Sequence, residues 1–215
     1  MTEAMTASTP LAFARGLVAH LEHLCPIRAT EAAITEAKKF LRARRDLRNE
    51  PSDRKGYEYV VEILLRQEIT EYAEDILRVP ARESHRQIYS SHFHTTSDEP
   101  KLWRTRWRQF RESHPAVDTD DDGHSRRADL FICLGKVGLV SVEFKYLRPT
   151  ARPAMHTCVR QIRQHLTRHR ACVLVLYAAT PVSARLERAV GEIRDGLRGC
   201  NGFVVVMTGP PIEFP

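Results

Sequence analysis

Two carboxylates and a lysine lie within a short, strongly apolar part of the sequence. The stretch from Ser125 to Leu147 reads SRRADLFICLGKVGLVSVEFKYL. It places Asp129 in one run of β-forming residues, and Glu143 and Lys145 in a second run. Acidic side chains that share a divalent cation, with an ammonium group beside them, are suited to the hydrolysis of phosphodiesters. Whether these three residues can do so depends on how the chain brings them together.

The sequence predicts that the two runs form a β-hairpin, joined by a short turn with glycines. Asp129 and Glu143 are each seven residues from Lys136. A three-residue loop over 135–137 therefore sets the two carboxylates directly opposite each other. A slip of one residue is disfavoured, because it would mismatch the apolar faces of the two strands.

Side chains alternate along a strand, so Lys145 is expected on the same face as Glu143 and Asp129. Ala128 is expected on the opposite face, with Leu130. Two carboxylates directly opposite each other repel unless a cation neutralises them. Oxygen ligands of this kind suit Mg²⁺ or Mn²⁺.

The three side chains together predict metal-assisted attack on a phosphodiester, through water activation, Lewis-acid polarisation and neutralisation of charge. The alternative is an amphipathic hairpin with ordinary polar residues on its wet face, since E-x-K triplets are common. The apolar flanks favour the functional interpretation, because they predict a hairpin in the centre of a sheet.

Helices are predicted before the hairpin, and alternating helices and strands after it. The first part contains a helix over residues 8–24, a helix capped by Thr30, a long helix from Ser52 or Asp53 to Pro80, and a short strand in QIYSSHFH. The last part contains a helix in HTCVRQIRQHLTRHR, an apolar strand in ACVLVLYA, a helix in VSARLERAVGEIRDGLRG and a final buried strand in FVVVMTG. This order predicts an α/β protein with a mixed sheet flanked by helices.

The motif RADL, then VEFK on the next strand, a helix with glutamines and an apolar strand, resembles the PD-(D/E)xK nuclease superfamily. The resemblance covers roughly residues 55–178, and Ala128 stands where the family often has proline. It implies a restriction-endonuclease-like αβββαβ core with a mixed central sheet, and Mg²⁺-dependent cleavage of DNA. N-terminal helices precede this core, so we expect a helical extension over residues 1–50 and a nuclease-like domain over 51–215.

The resemblance also implies roles for individual residues. Asp129 and Glu143 match the metal-binding carboxylates of the family, with the Phe144 carbonyl as a third oxygen ligand. Lys145 matches the catalytic lysine. Many members carry a glutamate on the helix before the sheet. Glu58 is preferred for this position, where the resemblance implies that it completes the metal site or orients its waters.

At two helix positions the sequence offers more than one candidate residue. Glu62 lies one turn after Glu58 on nearly the same face, and either glutamate can instead belong to a solvated acidic face. Some branches of the family place a substrate-orienting glutamine on the helix after the hairpin, where Gln161 and Gln164 flank the apolar stripe. Gln161 is preferred there, with a plain exposed side chain as the alternative.

The overall charge agrees with a nucleic-acid partner. The chain has 215 residues, a net charge of +6 and 33 basic residues, of which only six are lysines. Arginine forks match phosphate geometry, although arginine-rich codon usage gives the same composition. The stretches KKFLRARRDLR and KLWRTRWRQFR are candidates for phosphate contact. DNA is the expected substrate; the alternatives are RNA, or a non-catalytic nucleic-acid-binding or assembly protein on the same core.

The remaining features argue against several other classes. The five cysteines form no C-x-x-C pair, which predicts reduced, mostly buried thiols in a cytoplasmic protein. The ten histidines lack zinc-site spacing and are interpreted as scattered surface or loop residues. No apolar run approaches the roughly 20 residues of a membrane span, so no membrane partner is expected. A homodimer stays open, because many members of the family pair to cut both strands.

Overall fold

Five helices and five strands form the part of the chain that the structure describes. This computed structural model describes residues 9–27, 30–43, 52–78, 88–90, 110, 112, 128–134, 138–147, 155–180 and 182–212. In chain order the elements are α1 (Pro10–His23), α2 (Glu31–Ala43), α3 (Ser52–Leu77), β1 (Ile88–Ser90), β2 (Leu130–Cys133), β3 (Leu139–Leu147), α4 (Met155–Leu166), β4 (Ala171–Ala179), α5 (Ala184–Gly196) and β5 (Gly202–Gly209).

The strands form one mixed sheet in the order β1-β2-β3-β4-β5. β2 runs antiparallel to both β1 and β3, while β3, β4 and β5 run parallel to one another. Parallel neighbours need a crossover connection, and α4 and α5 provide the two crossovers. The α/β class and the mixed sheet are confirmed.

Burial follows the position of each strand in the sheet. Every residue of β4 is buried, as its continuous apolar run predicted. The final strand, which was predicted to be buried, is only partly buried. Val205 and Met207 of β5 are buried, but Val204 and Val206 are only half-buried. The reason is that β5 forms the edge of the sheet and has a neighbour on one side only.

The hairpin between β2 and β3 has the predicted register. Leu130 pairs with Val142, and Cys133 with Leu139. The pairing closes at the N–H of residue 134, which donates to the carbonyl of residue 138 at 2.9 Å. A loop of three residues remains between them, as the spacing of the two carboxylates predicted. The loop itself lies outside the described residues.

Helices cover the two faces of the sheet in two layers. α1, α2 and α3 pack on one face, where their apolar side chains form a core with alternate side chains of β2 to β5. α4 and α5 pack on the other face, mainly against β4. A smaller cluster at the β1–β2 end joins Tyr89, Phe110 and Phe131. The remainder of the basic stretch KLWRTRWRQFR lies outside the described residues.

The N-terminal helices share this hydrophobic core with the sheet. Thr9 caps α1 and Thr30 caps α2, each accepting a backbone N–H three residues further on at 3.2 Å. Between the two helices, the Ile27 N–H donates to the Thr208 carbonyl of β5 at 3.0 Å. The connecting segment is thus bound to the edge strand. The expected boundary between residues 50 and 51 lies outside the described residues.

The cysteines agree with what the composition predicted. All five are free thiols, and three of them are buried. Among the described helices, none combines the length and the apolar character needed to cross a membrane.

Candidate functional site

Asp129 lies just outside the sheet, one residue before β2 begins at Leu130. Its Oδ2 accepts a hydrogen bond of 2.8 Å from the Phe144 N–H of β3. The strand pairing ends at Leu130 and Val142, so the carboxylate takes the place of a strand carbonyl as partner of this N–H. The predicted pairing of Asp129 with Glu143 lies one residue beyond the last strand pair. The hydrogen bond to Phe144 brings the Asp129 carboxylate to the residue that follows Glu143.

The prediction that Ala128 shares a face with Leu130 is wrong. Ala128 is buried beside Phe131 in the cluster at the β1–β2 end, whereas Leu130 packs in the core under α1 to α3. Strand alternation does not extend to Ala128, because β2 begins two residues later. The chain bends at Asp129, and the bend allows its carboxylate to reach the backbone of β3.

Glu143 and Lys145 form a buried ion pair on one face of β3, as their alternation predicted. Lys145 Nζ is 2.6 Å from Glu143 Oε1, and the two residues are only 2% and 8% exposed. Nζ also lies 3.7 Å from Oε2 of Glu58, which extends from α3. Buried charges are stable only when they are paired. Lys145 therefore holds together acidic groups from two different elements.

The ion pair fixes the charge of both partners. Burial by itself would raise the pKa of Glu143, but Lys145 and then His165 outweigh it and lower that pKa to about 2. Burial by itself would lower the pKa of Lys145, but Glu143 beside it raises that pKa above its ordinary value. Glu58 and Asp129 add to this effect. At neutral pH Lys145 is therefore a fixed positive charge and a hydrogen-bond donor, not a base.

Of the two candidate glutamates on α3, Glu58 has the contact with Lys145 described above. Glu62 lies one turn further along the same side of the helix. It is only 1% exposed, so the alternative of a solvated acidic face is wrong for Glu62. Glu58 remains the predicted helix carboxylate because of its contact with the lysine.

Gln161 is the glutamine of α4 that reaches the candidate site. Its Nε2 donates to Oε1 of Glu143, the same oxygen that contacts Lys145. Gln164 is exposed and lines an open groove of about 570 Å³ between α4 and α5. The helix thus directs Gln161 toward β3 and Gln164 away from it, in agreement with the preference for Gln161.

His165, which the sequence interpretation missed, completes the surroundings of Glu143. It is 3% exposed, and its Nε2 lies 3.3 Å from Oε2 of Glu143 without hydrogen-bond geometry. The interpretation as a surface or loop residue is wrong for His165; His169 does lie in a turn, but it is buried. The missed signal is spacing, because Cys158, Ile162, His165 and His169 form one buried stripe at intervals of four, three and four.

The donor atoms at this edge of β3 are of the type that a small divalent cation prefers. Asp129 and Glu143 supply carboxylates, and the Phe144 carbonyl faces the same edge as its N–H, because a strand residue presents both groups to one side. Oε2 of Glu143 is buried and makes no hydrogen bond. In the described ranges, no three side chains of His, Cys, Asp or Glu are grouped so as to hold an ion by themselves. Mg²⁺ commonly keeps several waters and takes only one or two carboxylates.

The two helical layers differ in charge. The helices α4 and α5 include five arginines and three acidic residues. The helices of the other layer, α1 to α3, include seven basic and ten acidic residues. Glu143 contacts α4, so its carboxylate lies on the arginine-rich side of the sheet. A polyanion that approaches the candidate site is attracted from that side.

No protein-family model, curated protein or solved structure matches the chain. The nuclease resemblance accordingly rests on the RADL and VEFK motifs, and the chemistry of the site rests on the contacts described above.

Proposed function

We propose that this protein is a metal-dependent nuclease that hydrolyses phosphodiester bonds, with DNA as its substrate. The observation that carries the proposal is the convergence of Asp129, Glu143 and Lys145 at one edge of β3. These residues belong to the RADL and VEFK motifs, and the Asp129 carboxylate accepts a hydrogen bond from Phe144, the residue between Glu143 and Lys145. The chain order α3-β1-β2-β3-α4-β4 also agrees with a restriction-endonuclease-like core.

In the proposed site, Asp129, Glu143 and the Phe144 carbonyl hold Mg²⁺ or Mn²⁺. The ion supplies Lewis-acid polarisation of the phosphoryl group and neutralises the charge that develops there. Lys145 keeps its proton, so its ammonium group offers hydrogen bonds and positive charge to the phosphoryl oxygens. Its burial strengthens this effect, because electrostatic interactions are weakened less where water is excluded.

Two further side chains hold these groups in place. Gln161 donates to Glu143 and thereby ties the second carboxylate to α4. Glu58 contacts Lys145 from α3 and restricts the directions in which Nζ can point. Reacting groups must be held close to their productive geometry, and small displacements cost large factors in rate. These two contacts support the proposal because they fix the site from both helical layers.

The charge of the α4–α5 layer supports a nucleic-acid substrate. The five arginines of α4 and α5 belong to the layer from which α4 contacts Glu143. Arginine forms two parallel hydrogen bonds to a phosphate, and such contacts fix the orientation of a nucleic acid without reading its sequence. DNA is therefore proposed as a polyanion bound through its backbone.

The test is cleavage of plasmid and single-stranded DNA by the purified protein with Mg²⁺ or Mn²⁺. We expect the wild type to cleave, and Asp129→Ala and Lys145→Ala to lose about 10²- to 10³-fold in rate. Asp195→Ala and Arg15→Ala are matched controls, because they remove the same charges from exposed positions on α5 and α1. Circular dichroism checks that each variant is folded. Cleavage that survives both site substitutions rules the proposal out.

A non-catalytic nucleic-acid-binding protein on the same core is the second candidate. One observation favours it: Lys145 lies 2.6 Å from Glu143, so the pair neutralises itself without any ligand. Such a protein would retain DNA without a metal ion and leave it intact, in the wild type and in Asp129→Ala alike. The same incubation with single-stranded RNA separates an RNA-directed nuclease from a DNA-directed one.

A further inference from the structure

Different side chains contact the two oxygens of Glu143. Lys145 and Gln161 both contact Oε1, whereas the imidazole of His165 faces Oε2 at 3.3 Å. We infer that His165 is a positioning residue, which fixes the direction of the Glu143 carboxylate for binding of the metal ion. The inference rests on the proposed function, because it concerns the same carboxylate.

The contacts at Oε1 do not define the orientation of the carboxylate by themselves. The last torsion angle of a glutamate is broad, so a carboxylate held at one oxygen can still turn its other oxygen. In Glu143 this other oxygen is Oε2, and His165 is the side chain that lies against it. The imidazole therefore limits the rotation that Lys145 and Gln161 leave open.

His165, His169 and Phe131 form a column of aromatic rings. His169 stacks on His165 with ring centroids 5.8 Å apart and ring planes 14° apart. Phe131 meets the ring of His169 edge-on at 5.4 Å. Phe131 belongs to β2 and lies two residues after Asp129. The column thus connects the strand that follows one carboxylate with the side chain that orients the other.

An apolar residue would suit this position better if it were only part of the core. His165 lies on the buried stripe of α4 with Cys158 and Ile162, which pack in the core between α4 and the sheet. Its Nε2 and the facing Oε2 of Glu143 are both buried without a hydrogen bond. Burying unbonded polar atoms costs free energy, and such exceptions in a folded protein call for an explanation in function.

The inference predicts a specific change in metal affinity. Residues that orient metal ligands typically alter affinity by about 10- to 100-fold when they are substituted. We expect His165→Leu to raise the Kd for Mn²⁺ by this factor, measured by isothermal titration calorimetry on the full chain with Mn²⁺ alone. The Mn²⁺ concentration for half-maximal cleavage should rise equally, while the rate at saturating Mn²⁺ changes much less. His165→Gln, whose amide can reach Oε2, should recover most of the affinity.

Ile162→Val is the matched control, because Ile162 is buried on the same stripe and makes no contact with Glu143 among those described above. It should bind Mn²⁺ as the wild type does. Thermal unfolding checks that every variant is folded. If His165→Leu does not fold, His165→Asn replaces it, since its shorter amide falls short of Oε2.

The outcomes separate the inference from the nuclease proposal. Equal Mn²⁺ affinity in the wild type and His165→Leu overturns the positioning role. An equal loss of affinity in Ile162→Val overturns it too, because the effect is then one of packing. Mn²⁺ binding that depends on His165, without cleavage of any nucleic acid, supports the positioning role and refutes the nuclease. A wild type that binds no Mn²⁺ refutes both.

Discussion

Lys145 is buried between carboxylates, so it affects both the stability of the fold and the chemistry of the site. Its Nζ is within 4 Å of Glu143 and Glu58, and its side chain is only 10% exposed. Removing one partner of such a pair leaves the other charge buried without compensation. A loss of activity on substituting Lys145 must therefore be compared with the loss of stability that accompanies it.

We expect Lys145→Met to lower the free energy of unfolding by about 3–5 kcal/mol, because Glu143 is then left buried and unpaired. The double variant Glu143→Gln with Lys145→Met should recover most of this loss, since both charges are gone. Urea denaturation of the wild type, both single variants and the double variant measures the coupling. If the double variant loses the sum of the two single losses, the pair is not coupled in this way.

His169 makes the stability of the fold depend on pH between 6.5 and about 4. Burial lowers its pKa from 6.5 to about 4, with help from His165 and Arg168. The unfolded state then takes up a proton at a higher pH than the folded state. Stability is fully present above pH 6.5 and falls as the pH falls toward 4, by about 3 kcal/mol. The stability that Glu143 contributes is lost at lower pH, as the pH falls from 4.5 to about 2.

The prediction is that His169→Leu removes most of the loss of stability between pH 6.5 and 4. Urea denaturation at pH 7, 5.5 and 4 measures it. His23→Leu, at an exposed position on α1, should keep the pH dependence of the wild type. An unchanged slope in His169→Leu would show that other groups cause the loss.

Sequence periodicity predicts some residues of the candidate site and not others. Glu143 and Lys145 were predictable because a strand repeats every two residues, and Asp129 because the hairpin is symmetric about its loop. His165 was not predicted, because histidine is common at surfaces and its type does not reveal burial. Only its place on the stripe of α4 identifies it, and this stripe becomes clear once the contact with Glu143 is known.

At the scale of elements, local patterns determined the strands and helices, but their position in the sheet was not a local property. FVVVMTG is as apolar as ACVLVLYA, and both predicted buried strands. The first became an edge strand and the second a central one, because the order of strands depends on how the crossovers pack. Local patterns also could not predict the hydrogen bond between the α1–α2 segment and β5, because it joins parts of the chain that are distant in sequence.

Two glycines test how closely this segment packs on the sheet. A Cβ on Gly209 would overlap the Ile27 carbonyl oxygen and the Tyr177 hydroxyl, and the carbonyl belongs to the backbone. We expect Gly209→Ala to destabilise the fold by about 1–3 kcal/mol through overpacking. Gly191→Ala is the matched control, since its Cβ meets nothing and alanine favours a helix by roughly 0.5–1 kcal/mol. Thermal unfolding should show opposite shifts; a neutral Gly209→Ala would contradict the close approach.

At the scale of the whole molecule, the distribution of charge is more informative than its total. The net charge of +6 predicted a polyanionic partner but not where it binds. The fold gathers the arginines of α4 and α5 on one side of the sheet and the acidic α3 on the other. The sequence offered the two basic stretches as candidate surfaces. It did not point to either helical layer, because which helices share a side of the sheet depends on the topology.

We expect the arginines of α4 and α5 to bind the nucleic-acid backbone. Arg160 and Arg188 are exposed on α4 and α5, and replacing both with glutamine should weaken binding of duplex DNA. The slope of log affinity against log salt concentration should fall by about one for each arginine that no longer binds a phosphate. Fluorescence anisotropy with a chelator present, so that no cleavage occurs, measures this slope. Lys38→Gln with Lys39→Gln on α2 is the matched control and should keep the wild-type slope. A lower slope in the lysine variant with an unchanged slope in the arginine variant would instead indicate that the nucleic acid binds the α1–α3 layer. The arginines of α4 and α5 would then be ordinary solvated charges.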